Sequence, residues 1–325
     1  MIPSFVRGCI APVFTACHED GRLDDEGQRA ILDFLVETKA VSAYFVRCGM
    51  GQMFSFGYDD VRQIARTSCM HLAGRGPVLV GATGIWDRDR DKRPDPEVFL
   101  RQAVELSRYA EDVGAAGVVH TIPEAIAPKE GQSCHDVVLE YFEKISAAVH
   151  GPIFIYQSPG TDERYCVTID LVRKLADMPK VMGMKLSSND AYLIFNISYA
   201  VRGMDFGFVS GAETAFLAGL ISGSRAVIGQ GATVNPRILC AIQDRYEAGD
   251  LEGAMEAQCS TNMLVERSKN AVEFFKRYLA EKGYKIKPYS RTSGNPYQQQ
   301  RETLTQEEYE EFKRILESEL AKYTP

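Results

Sequence analysis

The chain has 325 residues, 45% apolar and 25% charged, and carries a formal net charge of -7. That composition suits a folded globular protein, and the negative balance argues against nucleic acid as the main partner. No run is long and apolar enough to span a membrane, the first seven residues lack the apolar stretch of a signal peptide, and the eight cysteines show no CxxC pair or metal-ligand spacing, so we expect a cytoplasmic protein with mostly buried thiols and neither metal nor cofactor.

Short β-type runs alternate with helical stretches. Gly8–Val13 is the first expected strand, and Asp24-Asp25 then opens a helix with apolar spacing at Ile31, Phe34 and Leu35. Ala43–Arg47 and Pro77–Gly81 follow as strands two and three. The stretch Asp87–Glu97 is rich in both charges, whose signs nearly cancel, and reads as a solvated loop. A helix carrying Val98, Leu100, Val104 and Leu106 comes next. Gly117–Thr121, Ile153–Gln157, Val181–Lys185 and Phe206–Ser210 continue the strands, a helix holds Leu217, Leu220 and Ile221, and Arg225–Gly229 is strand eight. Near-continuous apolar strands separated by helices imply a parallel sheet covered by helices. Eight such units within residues 1–235 predict an α/β fold, a (β/α)8 TIM barrel. A doubly wound open sheet is the rival, but it needs fewer strands and usually a Gly-rich fingerprint after the first one.

Residues 236–325 are expected to form a C-terminal helical extension packed on the barrel. Pro236–Ala248, Glu252–Lys282 and Thr305–Lys322 read as helices, the last opened by the capping-box pattern Thr305-Gln306-Glu307-Glu308. Between them, Lys287–Arg301 is polar and contains Pro288, Gly294 and Pro296, as a loop would.

Lys185 carries the most chemical information. It closes the apolar run Val181-Met182-Gly183-Met184, and burying an ammonium is costly unless it is paired or neutral. A desolvated lysine is more often the free amine that attacks a carbonyl to form a Schiff base. The alternative is a strand-end lysine reaching solvent. In a parallel barrel the active site lies at the C-terminal strand ends. Strand five ends at Tyr156-Gln157, strand six at Lys185 and strand seven at Ser210-Gly211-Ala212-Glu213. Neighbouring strands lie about 4.8 Å apart, so Tyr156 can meet Lys185 and shuttle the protons that carbinolamine chemistry needs. The alternative for Tyr156 is a core aromatic. After strand two, the turn Cys48-Gly49-Met50-Gly51-Gln52 offers backbone N–H groups to a carboxylate, and Arg47 would add charge if it pointed inward. Ser187-Ser188 read mainly as a cap for the following helix.

In order, these elements resemble the dihydrodipicolinate synthase / N-acetylneuraminate lyase superfamily of class I aldolases. Gly8-Cys9-Ile10-Ala11-Pro12-Val13-Phe14-Thr15 and Asp20-Gly21-Arg22-Leu23-Asp24 resemble the family's opening strand and DGxxD turn. Gly114–Val119 resembles its GADAVLV strand, Ile155-Tyr156 its catalytic-tyrosine motif, and Gly183-Met184-Lys185-Leu186-Ser187-Ser188-Asn189-Asp190 its GIKDSSGD segment. Gly211-Ala212-Glu213 and Ser222–Gly229 resemble the segments at strands seven and eight. The resemblance implies a Schiff-base role for Lys185, proton transfer by Tyr156, substrate contacts from Gly49, Met50, Ser187 and Gly211, and a dimer or tetramer.

Three departures matter. Gly49-Met50 lack the hydroxyls of the family's GTTGE or GSTGE turn, Ile122-Pro123-Glu124-Ala125 replaces its TPYY, and Thr161 stands where the synthases carry an arginine. The expected function is therefore a Schiff-base lyase, an aldolase or dehydratase acting on a 2-oxo acid or sugar-acid derivative, and not an authentic dihydrodipicolinate synthase. The alternatives are a catalytically lapsed member that binds or senses a metabolite, and an unrelated barrel binding phosphate at Gly211 and Gly229–Gly231. Phe274, Phe275, Tyr278 and Leu279 are the expected assembly surface.

Overall fold

The computed structural model describes residues 1–291 and 303–323. Eight parallel strands close into a barrel in chain order: β1 (Gly8–Pro12), β2 (Val41–Val46), β3 (Val78–Gly81), β4 (Gly117–Thr121), β5 (Ile153–Gln157), β6 (Val181–Leu186), β7 (Gly207–Ser210) and β8 (Ala226–Val227). The helices between them are α1 (Asp25–Thr38), α2 (Tyr58–His71), α3 (Pro96–Asp112), α4 (Cys134–Ala148), α5 (Ile169–Ala176), α6 (Ala191–Ala200) and α7 (Phe216–Ser222). After β8 come α8 (Gly231–Val234), α9 (Pro236–Glu247), α10 (Leu251–Arg267), α11 (Ala271–Glu281) and α12 (Gln306–Ala321). This is the (β/α)8 architecture with helices appended.

Local chemistry sets many boundaries. Asp24 accepts the Gly27 N–H and starts α1, whose Ile31, Leu32 and Leu35 are buried. Asp95 caps α3 ahead of Pro96, and Thr305 with Glu308 forms the capping box of α12. Strand eight is shorter than expected, although Ile228 N–H still reaches the Ser210 carbonyl. The helix expected over Glu252–Lys282 is two helices. Asn270 accepts the Glu273 N–H and begins α11 afresh after the break at Ser268.

Two apolar cores result. One fills the barrel with Val6, Ile10, Phe45, Leu79, Val119, Phe154 and Val209, and Phe5 packs on Phe154 beneath it. The other lies between strands and helices. With the lower interior filled by side chains, the upper rim is left for chemistry.

The late aromatics do not form an outer surface. Phe275 packs edge-on to Phe14 and Phe34, Phe274 packs edge-on to Phe312, and Tyr278 and Leu279 are also buried. They fasten α11 to its own chain. Fully buried Lys276 does likewise, donating to the Thr15 and Tyr289 carbonyls and to Ser290 Oγ. Of the loop expected over 287–301, residues 292–301 lie outside the described part.

Candidate active site

Along β6, Met184 and Leu186 join the outer core, while Lys185 between them lies against Phe45 and Tyr156 of the barrel interior. Tyr156 and Lys185 are register partners on β5 and β6. The lysine Nζ stands 4.1 Å from the tyrosine ring centroid and 6.0 Å from that of Phe45. Lys185 is 6% exposed and Tyr156 3%, so neither reaches out to bulk solvent.

Above them opens a cleft of about 350 Å³ lined by Gly49, Met50, Tyr156, Lys185, Ser187 and Gly211. All six residues singled out from sequence meet there, from four different strand ends. Ser187 does not cap α6. Asp190 does, accepting the Tyr192 and Leu193 N–H groups, while Ser187 Oγ donates to the Gly211 carbonyl. A side chain at 211 would collide with Ser187 and the Leu186 carbonyl, so glycine lets the loops after β6 and β7 close together.

Glu213 lines the same cleft and was not among the expected site residues. It is 5% exposed, and burial pushes its carboxyl up to about 7 against the opposing pull of the Gly231 N–H and of Lys185. Gly229 has no room for a side chain because the Glu213 carboxyl fills that space. The signal was available in the sequence: an acid three residues beyond the end of strand seven, and the glycine-bearing run Gly229-Gln230-Gly231 after strand eight. The same acid argues against phosphate there, since a carboxyl occupies the place where the anion would sit.

The turn after β2 is folded by Gln52 N–H to the Gly49 carbonyl and Met53 N–H to the Cys48 carbonyl. Burial pushes the Cys48 thiol up to about 11, and it accepts the Gly51 N–H. Arg47 does not line the Lys185 cleft. Its Nη1 donates to the Gly81 and Thr83 carbonyls, and it borders a separate small cavity with Thr83, Thr121 and Ser158. Arg47 is buried among the ends of β2 and β3, which lowers its guanidinium to about 10.

The loop expected to be merely solvated is pinned. The Arg88 side chain, 7% exposed, pairs with Glu124 and donates to the Pro159 carbonyl. Arg90 joins Glu124 to the Gly160 carbonyl. Glu124 stands just after β4, so the ion-paired clamp ties the 87–90 loop and the end of β4 to the loop after β5.

The dihydrodipicolinate synthetase family model matches residues 5–319. The 4-hydroxy-tetrahydrodipicolinate synthase of Nitrosospira multiformis is 27% identical over 252 residues, 78% of this chain and 77% of that one. The Escherichia coli protein named putative 2-dehydro-3-deoxy-D-gluconate aldolase YagE is 26% identical over 76% of each chain. Among solved structures, Ruminococcus gnavus sialic acid aldolase superposes with a TM-score of 0.82 at 18% identity, covering 99% of this chain and 100% of that one. YagE in complex with pyruvate gives 0.78 at 22% identity, covering 98% and 99%. The chain belongs to the dihydrodipicolinate synthetase family, and so to the class I lyases.

Proposed function

We propose that this member of the dihydrodipicolinate synthetase family is a Schiff-base lyase, an aldolase or dehydratase acting on a 2-oxo acid or sugar-acid derivative. The observation that carries the reading is the pairing of Tyr156 with Lys185 at one cleft, both buried, with Nζ 4.1 Å from the ring centroid. Burial in apolar walls disfavours the charged form of an amine and so favours the nucleophile. The amine adds to the C2 carbonyl, and the carbinolamine loses water to give the imine. Tyr156 hands protons to and from the oxygen in both steps. Gly49 and Met50 hold the carboxylate through backbone N–H groups, while Ser187 and Gly211 line the opposite wall.

Glu213 supplies the second proton transfer. In aldol cleavage, its carboxylate takes the hydroxyl proton at C4 as the C3–C4 bond breaks and the enamine forms. In dehydration, the C3–H bond of the imine breaks to give the enamine, its proton passing to solvent. The Glu213 carboxylic acid then gives its proton to the C4 hydroxyl, which leaves as water as the C3–C4 double bond forms. With its carboxyl near 7, both forms are available at neutral pH.

The similarity to YagE, whose solved structure contains pyruvate, supports a 2-oxo acid. Thr161 and Ala125 speak against dihydrodipicolinate synthase activity. Cytoplasmic residence is part of the same reading, on cysteine usage. Among the described residues no helix is long and apolar enough to cross a membrane. So is a homodimer or homotetramer, for which the exposed aromatics of α6 are the better candidate surface.

Borohydride treatment with a panel of 2-oxo acids, followed by peptide mapping, tests the proposal. A reduced adduct on Lys185 is expected, and Lys185→Arg should abolish trapping and turnover while preserving the fold. An adduct on another lysine would overturn the assignment. No adduct from any acid would favour the metabolite-binding reading.

A further inference from the structure

Two cysteines outside the cleft stand close enough to react with each other. Cys9, on β1, is 1% exposed and faces α9. Cys240, on α9, is partly exposed, and its Sγ lies 3.6 Å from Cys9 Sγ although the residues are 231 positions apart. Cys240 Sγ also lies 3.3 Å from the Ala40 carbonyl oxygen, and Cys9 Sγ 3.4 Å from that of Pro236. These contacts aim both sulfurs into one seam between β1 and α9. A disulfide needs about 2.0 Å between sulfurs, so closure asks for side-chain rotation and a small shift, not refolding.

We propose that Cys9 and Cys240 form a peroxide-responsive dithiol that closes reversibly to a disulfide tying β1 to α9. Two different environments divide the labour. Cys240 is the more exposed residue of the pair and so the one a small oxidant meets first, and the Cys9 contact, opposed by burial, draws its thiol below the ordinary range. Arg237 favours its thiolate and Asp244 opposes it. Cys9 is sealed in the interior, and the Cys240 contact and burial hold it in the thiol form. A hydroperoxide oxidises the Cys240 sulfur to the sulfenic acid, with the peroxide oxygen–oxygen bond breaking and water or an alcohol leaving. The Cys9 sulfur then attacks that sulfur, the S–O bond breaks, and the hydroxyl leaves as water with the Cys9 proton. Two electrons pass from the dithiol to the peroxide, and a thiol reductant reverses the step.

The cross-link would close nearly the whole barrel into one loop, so the oxidised form should resist unfolding more than the reduced one. Neither sulfur lines the Lys185 cleft, so imine trapping should be the same in both forms.

The experiment treats the full chain with hydrogen peroxide, alkylates it under denaturing conditions and maps its peptides by mass. The expected result is a Cys9–Cys240 linked pair, two alkylatable thiols lost per chain, and recovery of both with dithiothreitol. Cys240→Ser should abolish the linked pair. Because Cys240 is partly exposed, that variant keeps the test open if Cys9→Ser fails to fold. Cys240 recovered as sulfinic acid with Cys9 still alkylatable would overturn the proposal. So would a link from Cys240 to any other cysteine, or eight alkylatable thiols after peroxide.

Discussion

Glu213, which we propose as an acid–base group, shows how burial ties a carboxyl's proton to stability. Its folded carboxyl lies near 7, above the ordinary 4.5, so the folded chain holds the proton more tightly than the unfolded one. The stability this confers is fully present below 4.5 and is lost as pH rises to about 7, and the gap is worth about 3 kcal/mol. Glu213→Gln keeps the shape but cannot ionise. We expect it to flatten the stability profile between pH 4.5 and 7, to leave borohydride trapping intact, and to slow turnover by about 100- to 10,000-fold. An unchanged pH–rate profile would remove Glu213 from the chemistry. Tyr156→Phe should slow turnover by a similar factor while changing binding of the acid less, as separated kcat and KM would reveal. At the β2 turn, Met50→Thr restores one hydroxyl. Pyruvate binding should strengthen by roughly 2- to 10-fold, one net hydrogen bond, and calorimetry showing no change would mean this turn does not touch the acid.

Among the elements, α6 stands apart because its outer face is aromatic. Tyr192 is 80% exposed, Phe195 42% and Tyr199 67%, and neighbouring Ile221 is 52% exposed. Their spacing of three and four puts the three aromatics on one side of the helix. Water-facing aromatics grouped in this way are the surface we propose for assembly. Phe195→Glu with Tyr199→Glu should convert an oligomer into a monomer by light scattering, with helical content unchanged. A wild-type monomer at micromolar concentration would refute the assembly proposal. The apolar spacing of α11 is equally regular in the sequence, yet it packs inward. Periodicity reveals that a helix has an apolar face but not which neighbour covers it.

For the whole molecule, the upper rim joins the proposed catalytic pair, Tyr156 and Lys185, to the ion-paired loops beside it. Arg88 and Arg90 clamp Glu124 beside β5, and Thr161 offers no charge to a second carboxylate. Losing a buried charge-assisted contact typically costs about 2–5 kcal/mol, so condensation of pyruvate with aspartate semialdehyde should be negligible. Robust condensation in a coupled assay would refute that reading.

The order of strands and helices, and the convergence of Tyr156 and Lys185, were legible in the chain itself. Both rest on local pattern: apolar runs of strand length, caps such as Asp24 and Thr305, and the rule that parallel strands end on one face. Some features were decided only by tertiary packing. The inward turn of Phe274 and Phe275, the diversion of Arg47 to the Gly81 and Thr83 carbonyls, the pinned loop at Arg88 and the meeting of Cys9 with Cys240 join residues far apart in the chain. Their partners are set by barrel closure and by how helices settle on it. The environment of Glu213 belongs with them, because a carboxyl's affinity for its proton depends on the burial that neighbouring elements impose.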